Sequence, residues 1–138
     1  VTLQRERKLH TLRNGFSLLN SIAMSACYSP GAGKGNFDFP LEIGSARVKS
    51  RVWSAWRALD PVNFLPRRAR ALKKLRGIYL QVGKSDEFSL QYGARELNGL
   101  FEKLNVKNYV YDEFEGGHFD CSKNQEALLK WWSKKIKI

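Results

Sequence analysis

Asp86 and His118 are the two residues of this 138-residue chain whose types and positions best suit acid–base chemistry. The apolar, β-branched run Gly77–Gly83 predicts a strand buried on both faces, and Asp86 follows it by three residues. Val106–Phe114 predicts a second strand, and His118 stands just past Gly117 at its end. A carboxylate can accept the Nδ1–H of an imidazole and orient the ring, which leaves Nε2 as a general base. The spacing by itself equally fits a hydrogen bond with a purely structural role.

The elements around these two residues predict that both lie at one edge of a sheet. A helix is expected over residues 89–104, with Ser89 as its candidate cap, and a last helix over residues 122–135. Strand, helix, strand and helix with short polar joints are typical of a parallel sheet. Functional groups in such sheets collect beyond the carboxyl ends of the strands. We therefore expect the Asp86 and His118 side chains to lie near each other.

The first half of the chain has a less regular pattern. Helices are expected over residues 3–14 and 48–59, with a loop over residues 29–45. The small apolar run Ser21–Tyr28 predicts a third parallel strand. The expected fold class is therefore α/β, with parallel strands and flanking helices in a single domain over residues 1–138. Because three parallel strands are few for this class, the pattern indicates an incomplete architecture.

The net charge of +11 is confined to the first part of the chain. Residues 1–85 hold 16 Lys and Arg against 4 Asp and Glu, whereas residues 86–138 hold 8 against 9. The densest run, Arg67–Arg76, has six cations in ten residues. No stacking aromatic or recognition motif accompanies this run. We therefore favour a solvated connecting segment without a nucleic-acid partner, and a small basic module that binds nucleic acid or another polyanion stays the alternative.

Composition excludes several protein classes. A hydrophobic content of 43% is incompatible with a mainly disordered chain, and no apolar run is long enough for a membrane span. Cys27 and Cys121 do not form a disulfide framework, so a cytoplasmic location is expected. We expect no metal, because His10 and His118 are the only histidines. No cofactor is expected either, because Gly31–Gly35 lacks the final Gly-Lys-Ser/Thr of a phosphate-binding loop.

Short motifs along the chain carry a resemblance to a known family. They are GIYLQVGKSDEF at 77–88, AREL at 94–97 and FEGGHF at 114–119, preceded by AMSACYSP at 23–30 and Asp60-Pro61. In this order and spacing they resemble the C-terminal part of the putative-esterase branch of the α/β-hydrolases, which includes esterase D and S-formylglutathione hydrolase. The resemblance implies part of a three-layer α/β-hydrolase sheet and hydrolysis of a small acyl ester. It also implies that Asp86 is the acid and His118 the base of a catalytic triad.

The chain departs from this family in one essential feature. The enzymes carry their nucleophile on a G-x-S-x-G elbow between a strand and a helix, and that motif occurs nowhere in the 138 residues. The family's chain order places the elbow at or before Val1. We therefore expect the C-terminal portion of a serine esterase, which supplies the acid and the base but is inactive alone.

Other residues are weak candidates for the missing nucleophile. Ser25 is expected to be buried in a strand, and Ser85 is on no elbow. Cys121 is expected to open the last helix, whose N-terminus would favour a thiolate, but a structural role is the preferred interpretation for all three. The open sheet edge beside Ser21–Tyr28 also predicts self-association.

Overall fold

The computed structural model describes residues 15–31 and 36–136. The chain divides into two compact units, one ending at Asp60 and the other beginning at Pro61. The helix expected over residues 3–14 lies outside the described residues. Within the described ranges, no helix has the length and apolar character that a bilayer crossing requires.

The first unit contains two helices, α1 (Gly15–Tyr28) and α2 (Ser50–Leu59). The helix expected over residues 48–59 is confirmed by α2. The Trp56 indole N–H donates to the Ser29 hydroxyl oxygen at 3.0 Å, and the Trp56 ring lies 5.5 Å from the Tyr28 ring. These contacts hold α2 against the end of α1. Two isolated antiparallel bridges lie in the segment between the helices, Pro30 with Phe37 and Leu41 with Val48.

The expected strand at Ser21–Tyr28 is wrong, because this run forms the second half of α1. Only Ile22 in the run is β-branched, and Ala and Met favour a helix. The Ser21 and Ser25 hydroxyls donate to backbone carbonyls four residues earlier, at 2.8 and 2.7 Å. A helix thus satisfies these hydroxyls within its own backbone, and the expected three-stranded sheet loses this member.

The second unit carries a two-stranded parallel sheet. Ile78 pairs with Tyr109, and the register continues to Gly83 opposite Phe114. The predicted parallel pairing is therefore confirmed. In chain order the unit comprises α3 (Pro61–Phe64), a 3₁₀ turn (Leu65–Arg68), α4 (Ala69–Leu72), β1 (Ile78–Gly83), α5 (Leu90–Lys103), β2 (Tyr109–Phe114), a 3₁₀ segment (His118–Asn124) and α6 (Gln125–Lys135).

Two boundaries in this unit differ from those expected. Val106 is not in β2 but is a core residue only 2% exposed, and its N–H donates to the Phe101 carbonyl at 3.0 Å. Ser89 stands at the N-cap of α5, but its side chain makes no capping hydrogen bond. The last helix begins later than expected because the chain first makes the 3₁₀ segment.

Helices cover both faces of the sheet. Ile78 and Tyr109 pack against the core cluster of Leu72, Phe101 and Val106, which places α5 on their face. The next residue, Tyr79, points to the opposite face because side chains alternate along a strand. Its ring lies 5.5 Å from that of Trp131 on α6. The described chain is thus a mixed α/β protein with a parallel strand pair between helices.

Candidate functional site

The loops after β1 and β2 meet at one edge of the sheet. The Lys84 N–H donates to the Phe114 carbonyl at 2.9 Å, and the Ser85 N–H donates to the Gly116 carbonyl at 3.0 Å. A Cβ on Gly83 would stand 2.4 Å from the Gly116 oxygen, which is backbone and has no room to move. Glycine at position 83 therefore permits the close approach of the two loops.

This approach brings Asp86 and His118 together, as predicted. The His118 Nδ1 lies 3.0 Å from the Asp86 Oδ2 atom. The Asp86 side chain is only 1% exposed, whereas that of His118 is 41% exposed. An ionised carboxylate has no proton to donate, so Nδ1 carries the shared hydrogen. The ring is thus oriented through one nitrogen in a side chain that is partly open to solvent.

Asp86 is held as an anion by its hydrogen bonds. Burial alone would raise the pKa of this carboxyl, but the hydrogen bonds from the Phe88 N–H, His118 and the Leu90 N–H together lower it. The first of these bonds is 2.8 Å long and the last is 3.5 Å. Phe88 and Leu90 flank the N-cap residue Ser89 of α5, so the carboxylate accepts the backbone N–H groups on either side of it.

Two further carboxylates fix the loop that carries His118. The Glu87 Oε2 atom accepts the backbone N–H of His118 at 2.8 Å, and the Asp120 Oδ2 atom accepts that of Gly117 at 2.9 Å. A Cβ on Gly117 would stand 2.3 Å from the Glu87 Oε1 atom. Gly116 has a φ of 143°, which strongly favours glycine. The Gly-Gly pair thus serves two needs, backbone conformation at 116 and space for the Glu87 carboxylate at 117.

Two aromatic rings stand edge-on to the imidazole. The Phe88 ring centroid is 4.9 Å from that of His118, at an interplanar angle of 88°. The Phe119 ring is 5.5 Å away at 87° and is itself 69% exposed. The imidazole therefore has a buried anion on one side and apolar side chains beside it. An oriented, part-exposed imidazole of this kind can accept a proton through Nε2.

None of the substitute nucleophiles is bonded to His118 in the described part of the chain. Ser25 is fully buried, as expected, but it lies in α1 and bonds to Ser21. Ser85 is exposed in the turn after β1. Cys121 does not open the last helix as expected but lies within the 3₁₀ segment His118–Asn124, so the weaker alternative of a thiolate favoured by that helix loses its basis. Burial raises the pKa of this thiol, and the negative charge of Asp86 raises it further.

The residues that sequence reasoning missed are those that fix the histidine loop. Glu87 is 31 positions from His118, and neither its spacing nor its neighbours distinguish it from a solvent-exposed acid. Among the described residues, no group of three or more His, Cys, Asp and Glu side chains is placed to hold a metal ion. No protein-family model matches the chain, and a search of curated proteins found no match.

Proposed function

We propose that this chain supplies the acid and the base of a serine carboxylic-ester hydrolase. The observation that carries the proposal is the hydrogen bond between the exposed His118 ring and the buried Asp86 carboxylate. Because Asp86 engages only Nδ1, this part-exposed imidazole keeps its second nitrogen for proton transfer. The order of the motifs around both residues, which resembles that of the esterase branch, points the same way.

In the proposed reaction a serine hydroxyl from outside residues 1–138 attacks the ester carbonyl carbon. His118 Nε2 takes the serine proton as the C–O bond forms, and Asp86 stabilises the resulting imidazolium. The tetrahedral intermediate expels the alcohol, which receives the proton from Nε2. Water then attacks the acyl-enzyme, His118 again takes a proton and returns it to the departing serine, and the carboxylic acid is released.

The strand pair supports this assignment because it brings both loops to one edge. In an α/β-hydrolase, acid and base come from loops at the carboxyl ends of parallel strands, as Asp86 and His118 do here. We propose that β1 and β2 belong to a larger sheet of that type, which would also carry the G-x-S-x-G elbow.

Activity after joining the chain to a segment with a G-x-S-x-G elbow tests this proposal. Hydrolysis of p-nitrophenyl acetate and labelling of the elbow serine by a fluorophosphonate are the two readouts. We expect His118→Ala to abolish both, and Asp86→Asn to reduce turnover by about 10⁴-fold, the loss that an amide causes at a triad acid. The control Asp112→Asn makes the same chemical change on β2, where the carboxylate bonds to Tyr79 and Gln81 instead.

The unjoined chain provides the complementary measurement. It should hydrolyse the ester no faster than its own His118→Ala variant, because it lacks the elbow motif and its oxyanion donors. Turnover by the chain alone that depends on His118 would show that a residue within 1–138 is the nucleophile. Equal turnover of the joined protein with and without Asp86 and His118 would refute the proposed function.

A further inference from the structure

Residues 67–76, here called the basic segment, form a concentration of unpaired positive charge. No Asp or Glu occurs from Pro61 to Ser85. Every cation of the segment is exposed, and none has an ion pair with any residue that the structure describes. Cations elsewhere do find partners, such as Arg95 with Glu113. The cations of the basic segment are Arg67, Arg68, Arg70, Lys73, Lys74 and Arg76.

Two leucines of this region pack into the core of the second unit, whereas Leu75 is 50% exposed. Leu72 is 8% exposed and belongs to the core cluster, against which Leu65 also packs. The six cations of the segment are all exposed. The segment is thus anchored to the core through Leu72 and presents its cations to solvent.

This arrangement favours a phosphate backbone over a lipid surface. An amphipathic helix binds a membrane by inserting its apolar face between lipids, but here Leu65 and Leu72 are engaged in the protein core. The segment offers a partner six exposed cations and one half-exposed leucine, Leu75, which is far less apolar surface than a membrane-inserting helix presents. No acidic residue lies among these cations to repel an anion. Closely spaced, unpaired cations neutralise phosphates and release their counterions, which is the main source of sequence-independent affinity for nucleic acid.

We propose that the basic segment is a sequence-independent binding surface for the sugar–phosphate backbone of nucleic acid. If residues 67–76 were only a solvated connecting segment, the interpretation preferred from the sequence, they would contribute no salt-dependent binding of nucleic acid. If they form this binding surface, they contribute affinity that falls as the salt concentration rises. The proposal uses none of the residues of the Asp86–His118 site, so it stands or falls independently of the esterase assignment.

Fluorescence anisotropy with a labelled DNA duplex at several KCl concentrations tests the proposal on the intact chain. If all six cations contact phosphates, the logarithm of the association constant should fall with the logarithm of salt with a slope of about −5. Affinity should then drop about 10³-fold between roughly 50 and 200 mM salt. The triple variant Arg67→Gln/Arg70→Gln/Lys74→Gln should have a slope of about −3 and lose only about 40-fold over the same range.

The matched control removes three charges from α6 with the variant Lys130→Gln/Lys134→Gln/Lys135→Gln. Lys130 is already paired with Glu126, and Lys135 lies over the Trp131 ring. This control has the same net charge as the first variant but should keep the wild-type slope. Equal slopes for the two variants, or absence of DNA binding by the wild-type chain at about 50 mM salt, would overturn the proposal.

Two further measurements separate phosphate binding by the basic segment from a loss of folding in the glutamine variant. The charge-retaining variant Arg67→Lys/Arg70→Lys should keep the wild-type slope, and addition of duplex should shift the amide NMR signals of residues 67–76 in the wild-type chain. Shifts confined to other residues would refute the assignment even if a glutamine variant failed to fold. Binding to vesicles containing phosphatidylserine without binding to DNA would also refute it and identify a lipid surface instead.

Discussion

Replacing Asp86 by Asn should reverse the tautomer of the His118 ring. The wild-type carboxylate can only accept, so Nδ1 of the neutral ring must carry the hydrogen. The asparagine side chain still offers an oxygen to the Phe88 N–H, a bond of 2.8 Å in the wild-type protein. Its NH₂ group then faces Nδ1, which must become the acceptor, and the hydrogen moves to Nε2. A general base with its hydrogen on Nε2 cannot take a proton there, so the same change removes the proposed catalytic function.

The energetic cost follows from the burial and the hydrogen bonds of Asp86. Its side chain is 1% exposed and accepts its bonds as an anion. Loss of charge assistance in such bonds should destabilise the fold by about 1.5–3 kcal/mol at neutral pH. Because the folded-state pKa of Asp86 is lowered, this stabilisation is present above the unfolded-state pKa, near pH 4. It is lost as the pH falls through the lower folded-state pKa, so the stability difference between wild type and variant should shrink on acidification.

Long-range ¹H–¹⁵N NMR correlations of the imidazole identify the tautomer, and urea unfolding at several pH values gives the stability difference. The chain has two histidines, so a His10→Gln background leaves His118 as the only signal. The control Asp112→Asn should leave the His118 tautomer unchanged. A neutral ring protonated on Nε2 in the wild-type protein would refute the reasoning, as would the same tautomer in the wild type and in Asp86→Asn.

Four other substitutions test contacts in and around the sheet. Gly83→Ala should destabilise the protein by about 1–3 kcal/mol, because its Cβ would meet the backbone of the adjoining loop. Gly99→Ala in α5 meets no atom within 4 Å and should stabilise the protein by about 0.5–1 kcal/mol. If urea unfolding gave stability changes of the same sign for both variants, the close approach at Gly83 would be refuted. Phe101→Ala, at a site 2% exposed, should cost about 3–5 kcal/mol, and a loss below about 1 kcal/mol would place the core elsewhere. Burial and a hydrogen bond to Glu113 raise the pKa of Tyr111 to about 12, so Glu113→Gln should lower it towards 10, and an unchanged tyrosinate absorbance titration would contradict that contact.

The proximity of Asp86 and His118 could be predicted from the sequence, because the local residue pattern and the order of the elements both indicate it. Gly77–Gly83 is apolar, β-branched and bounded by glycines, which indicates a strand whatever its neighbours are. A helix-length segment then separates it from β2, and this connection nearly always yields a parallel pair. From that topology alone Asp86 and His118 had to emerge at the same edge. Their hydrogen bond at 3.0 Å is the confirmed result.

The pattern was insufficient where a short apolar run fits more than one element. Ser21–Tyr28 is compatible with a buried strand or with part of a helix, because its small residues show no clear period. Continuity with the preceding residues and the backward hydrogen bonds of its serines decided for α1. Val106 likewise joined the core beside Phe101 instead of β2, because the chain turns at the end of α5 before the strand begins.

The sequence by itself determined the strand pair, the helix between the strands and the edge at which Asp86 and His118 appear. Only the tertiary structure decided how the histidine is held. The Glu87 carboxylate accepts the His118 N–H although the two residues are 31 positions apart in the sequence. Glycine is needed at position 83 because the Gly116 oxygen occupies the space that a Cβ would take. Such contacts depend on the distance between two loops in space. Local propensity and periodicity describe each loop separately, so they carry no information about that distance.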